Sequence, residues 1–133
     1  MNKKALISVV VIFILSMGFD FLIHAKLLMA DYLRFPNVFR TEQDQQAYFP
    51  YMLIAHLLIA IGFVWIYNQG KEAKPAVGQG IRFGIAVSIL ATIPSYLIHF
   101  CVLPLSGDVV IKQIVFSTIE VIVLGVVVAL LNK

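Results

Sequence analysis

Four stretches of this chain are too long and too apolar to hide in a water-soluble core. They cover residues 5–30, 50–67, 81–102 and 109–131. A helix rises 1.5 Å per residue, so about 20 residues cross a bilayer core. With 61% of 133 residues hydrophobic and 13% charged, the bilayer is the expected solvent. The expected fold class is therefore all-α: an integral membrane four-helix bundle, antiparallel and up-down-up-down. It is one transmembrane domain with an aromatic, amphipathic loop at 31–49. Ser16-Met17-Gly18 offers small residues for signal cleavage, but the apolar character resumes after Asp20 and runs to Met29, so the first helix is expected to be retained.

The connections carry their own signals. Pro36-Asn37 marks a turn. Thr41 and Asp44 stand at capping-box spacing and suit the start of a short helix. Tyr32, Phe35, Phe39, Tyr48, Phe49 and Tyr51 place the first loop at headgroup level. Pro50 suits a first helical turn, and residues 68–82 read as a Gly/Pro-rich polar turn. Pro94 frees the Leu90 carbonyl and should kink the third helix. Lys3, Lys4, Lys71, Lys74, Arg82 and Lys133 lie on one side, against Lys26, Arg34, Arg40 and Lys112 on the other. The bias of six to four puts both termini in the cytoplasm. The cations are scattered, without the basic, aromatic-interleaved patch of a nucleic-acid binder.

The polar residues inside the apolar stretches carry the functional signal. Asp20 and His24 are four apart, on one helix face. An aspartate in a membrane helix costs about 2.5–3.5 kcal/mol and needs a partner. Counting from the expected helix ends, Asp20 lies about 8 Å, His56 about 9 Å and His99 about 5 Å from the outer surface. All three histidines thus fall in the outer leaflet, on three helices, with Glu120 deeper. Met52 and His56, Thr92, Ser95 and His99 beside Tyr96, and Gln113, Ser117 and Glu120 form one polar stripe per helix.

Two readings fit this cluster. In the first, His24, His56 and His99 bind a transition metal, with Asp20 and Glu120 as ligands or supports and Met52, Ser95, Tyr96, Gln113 and Ser117 around them. Zinc, copper or iron suits that set, and two of the histidines could instead hold a haem. Met17, Met52 and Cys101 would favour copper if turned inward. In the second, the cluster is interhelical glue in an accessory subunit of a larger membrane complex or in a homo-oligomer, each contact contributing about 0.6–2 kcal/mol. Proton movement along an Asp20–Glu120 line is a third possibility. An enzyme has the least support, since no nucleophile–base pair or phosphate loop is present.

Gly18-Phe-Asp20-x3-His24-x2-Leu27-Leu28-x3-Tyr32, with Phe39-Arg40 and the Leu103-Pro104 turn before Gly125, resembles small uncharacterised bacterial four-helix membrane proteins. The resemblance implies the architecture and a bacterial inner membrane, and no activity.

Overall fold

The computed structural model describes residues 2–133 and is all-helical, with no strand among them. Helix α1 (Lys3–Leu22) runs into a π-helical turn at Ile23–Leu27, followed by a short α2 (Met29–Tyr32). Helix α3 spans Glu42–Gly70. Helix α4 (Ala76–Val87) continues through a second π-turn, Ser88–Thr92, into α5 (Ile93–Val102), and α6 is Gly107–Leu131. Four continuous rods result: Lys3–Leu27, Glu42–Gly70, Ala76–Val102 and Gly107–Leu131. Each is long and apolar enough to cross a membrane, as a multi-pass membrane protein requires.

All four rods begin earlier than the sequence suggested, the second and third by more than a turn. The second starts at Glu42, not Pro50. Thr41 caps it, its Oγ1 accepting from the Asp44 N–H at 3.2 Å, and Arg40 bridges to Asp44 at 3.0 Å. Pro50 then sits inside the helix, where its missing N–H releases only the carbonyl of Gln46, an exposed residue that keeps access to outside partners. The third rod starts at Ala76, so Gly78 and Gly80 are helical and only residues 71–75 remain as a turn.

Packing against α6 explains the third rod. A Cβ on Gly80 would stand 2.5 Å from the Gly125 carbonyl oxygen, and one on Gly84 2.5 Å from the Ile122 Cα. A Cβ on Gly125 would strike the Gly80 carbonyl oxygen. The α4 and α6 backbones therefore touch, as small residues allow between helices in lipid. Helix α1 packs between α3 and α6, while α3 leans mainly on α1.

The apolar core fills the half of the bundle nearest the chain termini. Ile12, Ala60, Val64, Leu124, Val128 and Ala129 are buried there. Phe63 meets Phe83 edge-to-face at 4.7 Å between ring centroids. At the same end Asn132 is buried, donating to Ser8 Oγ at 2.7 Å and accepting from Asn68 at 3.3 Å. At the other end Asp31 and Arg34 join Asp108 and Lys112, tying the first loop to the start of α6.

The glycines give a direct test. Gly84→Ala should cost about 1–3 kcal/mol, the usual range for overpacking. Gly78→Ala, with nothing within 4 Å of the new methyl, should be neutral or stabilise by up to about 1 kcal/mol. Thermal unfolding followed by circular dichroism in mild detergent separates the two; equal melting temperatures would refute the backbone contact.

Candidate functional site

The first rod carries Ser8, Ile12, Ser16, Asp20 and His24 at strict four-residue steps, all buried or half-buried. On an α-helix each such step advances about 40° beyond a full turn, so the stripe drifts around the rod. The π-turn at Ile23–Leu27 takes in an extra residue. That turns the drift back and holds His24 over Asp20. The third rod repeats the device: Gly80, Gly84 and Ser88 are buried, and across the π-turn Thr92 and Tyr96 stay half-buried.

This register is where the sequence reading fails. A straight α-helix puts Ser95 and His99 on the stripe with Thr92. The π-turn hands the inward place to Tyr96 instead, and Ser95 and His99 are exposed. Met52 is also exposed, because α3 over residues 42–55 stands clear of its neighbours. Cys101 is exposed as well. The expected ligand set is therefore not assembled. Among the described residues, no group of three or more His, Cys, Asp or Glu side chains is placed to hold a metal ion.

What does assemble is a hydrogen-bonded chain centred on Asp20. His56, only 5% exposed, places Nε2 2.9 Å from Asp20 Oδ2 and Nδ1 3.0 Å from Ser16 Oγ. Ser16 Oγ donates its single hydrogen to the Phe13 carbonyl at 3.1 Å. His24 Nε2 faces the other carboxylate oxygen, Oδ1, at 3.6 Å, beyond hydrogen-bond length. His24 Nδ1 meets the Tyr32 hydroxyl at 2.5 Å, and Gln113 Nε2 donates to that hydroxyl at 3.1 Å. Tyr96 reaches His24 Nε2 at 3.5 Å and Ser117 Oγ at 3.0 Å. All four helical rods contribute at least one side chain.

Tyr32 closes the cluster from above. Its ring stacks on Phe39, with centroids 4.2 Å apart, and lies nearly parallel to the His24 ring. Burial pushes the Tyr32 hydroxyl up to about 12. It therefore stays neutral at neutral pH, in hydrogen-bond contact with both His24 Nδ1 and Gln113 Nε2. Glu120 lies on the buried face of α6 with Gln113 and Ser117. It is 7% exposed, and no hydrogen bond or ion pair reaches its carboxyl among the described residues.

Ser16 and Tyr32 are the two members the sequence reading did not select. Ser16 had a signal, since it precedes Asp20 by the same four residues that separate Asp20 from His24. Tyr32 had none, because its place depends on how the loop folds back.

Comparisons with protein-family models, with curated proteins and with solved structures found no match. The functional reading therefore rests on the geometry of this chain.

Removing the centre should be costly and removing its expected outer member should not. Asp20→Ala leaves the His56 Nε2 unpartnered in a buried place and should destabilise by about 1–3 kcal/mol. His99→Ala, at an exposed position, should stay within about 0.5 kcal/mol. Thermal unfolding in one detergent checks both, and a larger loss from His99→Ala would reverse the assignment.

Proposed function

We propose that this chain is a small multi-pass membrane protein, and that Asp20 and His56 form a polar latch between its first and second spans. The observation that carries this reading is the buried His56 ring, held on one side by Asp20 Oδ2 at 2.9 Å and on the other by Ser16 Oγ at 3.0 Å.

The contact joins α1 to α3 across an apolar interface, and losing either side chain weakens that hold. The groups around the pair are Ser16 and His24 from the first span, Tyr32 from the loop, Tyr96 from the third, and Gln113, Ser117 and Glu120 from the fourth. Asp20 keeps 35% of its side-chain surface accessible. The cation bias supports both termini in the cytoplasm and the latch toward the outer face.

Nitrogen-15 NMR of labelled histidine, on protein reconstituted in bilayers, tests the latch. Both His56 ring nitrogens should show hydrogen-bonded shifts, and the Nε2 shift should change in Asp20→Ala while Nδ1 does not. Two ring nitrogens free of hydrogen bonds in the parent protein sink the proposal. Metal analysis and an optical spectrum on the same untagged sample separate the remaining readings. Stoichiometric metal or haem lost in His56→Ala would replace the latch with a ligand site. Co-purification with a larger partner at fixed stoichiometry would make the cluster the glue of an accessory subunit.

A further inference from the structure

The charges of this protein are divided unequally between its two ends. Beside the chain termini stand Lys3, Lys4, Lys71, Lys74, Arg82 and Lys133, with Glu72 the only acid. At the opposite end Lys26, Arg34, Arg40 and Lys112 are matched by Asp31, Glu42, Asp44 and Asp108. Six cations against one anion, compared with four against four, puts the excess positive charge at one end.

The basic end also has a shaped cleft. A space of about 590 Å³ opens between the 71–75 turn and the end of α6, lined by Tyr67, Lys71, Lys74, Gln79, Asn132 and Lys133. A second space of about 310 Å³ adjoins it, sharing Tyr67, Glu72 and Gln79 and reaching Arg82. The turn above is held in place. The Gln79 amide donates to the carbonyls of Glu72 and Lys74 and accepts from the Glu72 N–H, each at 2.8 Å. Lys71 Nζ donates to the Asn132 carbonyl at 3.0 Å, which leaves two of its three hydrogens unused. Lys74 pairs with Glu72, while Arg82 and Lys133 have no side-chain partner among the described residues. Ile66 lines the second space, and Val77 and Ile81, also on the surface of the structure, lie on α4 within five residues of Arg82.

We propose that this cleft binds the headgroup of an anionic phospholipid. The fixed turn presents Lys71 and Lys74 to the phosphate, Arg82 closes on it from α4, and the acyl chains lie along the Ile66, Val77 and Ile81 faces. The apolar border on one side and the cations on the other match a lipid better than a soluble anion. Basic pockets at helix ends take anionic headgroups through the same chemistry. The inference rests on the four rods entering a bilayer and is independent of the Asp20–His56 latch.

The test uses full-length protein in detergent micelles and in nanodiscs of phosphatidylcholine with or without phosphatidylglycerol. Phosphatidylglycerol should raise the melting temperature, and native mass spectrometry should retain it in preference to phosphatidylcholine. Each cation removed among Lys71→Gln, Lys74→Gln and Arg82→Gln should weaken retention about five-fold. Arg40→Gln, at the balanced end, should not change retention. Arg82 has no protein partner to lose, so Arg82→Gln alone keeps the test valid if the triple variant unfolds. Equal retention of both lipids, no effect of Arg82→Gln, or the same stabilisation from inorganic phosphate alone would overturn the proposal.

Discussion

An acidic side chain on an apolar helix is costly, and a partner already in place lowers that cost. Asp20 meets that condition through His56, across the interface between the first and second rods. The rest of the polar half follows from that contact. Ser16 fixes one side of the imidazole, and the Asp20 position draws in His24. Tyr32, Gln113, Tyr96 and Ser117 then satisfy the remaining polar atoms around His24. Buried networks of this kind are stable only when their members are satisfied together. That explains why the first loop folds back over the bundle. Its tyrosine hydroxyl is the hydrogen-bond partner of His24 Nδ1.

Both π-turns sit beside this network, and each acts on register. A stripe at four-residue steps slips around an α-helix, and one wide turn cancels the slip at the level where polar atoms must meet. The first π-turn positions His24 and the second positions Tyr96. Pro94 follows the second directly, so the proline signal in the sequence marks this wide turn rather than a simple bend.

Much of the architecture was legible in residue patterns. Apolar runs of membrane-crossing length gave the four rods, and Asp20 with His24 and His56 marked the polar centre. The register of the third rod was not legible, because a straight α-helix was assumed. That assumption turned Ser95 and His99 inward and made a three-histidine site seem natural. The start of the second rod was misplaced because Pro50 reads as an opening residue, whereas Thr41 and Arg40 supply a stronger start two turns earlier. Gly78 and Gly80 fell within residues 68–82, which read first as a turn. Only their position against Gly125 explains Gly80 and Gly84 as contact points.

The glycine contact between α4 and α6 also has a mechanical side. With carbonyl against Cα there is no slack, so neither helix can slide or rotate without a clash, and the two behave as one stiff beam. Helix α1 lies along that beam, whereas α3 rests mainly on α1. The compliant part of the molecule is α3. Its lower turns are pinned by Phe63 and Tyr67 against Phe83, whereas the turns from Glu42 to Pro50 have no buried residue, so the end of α3 farthest from that aromatic anchor has the least to hold it.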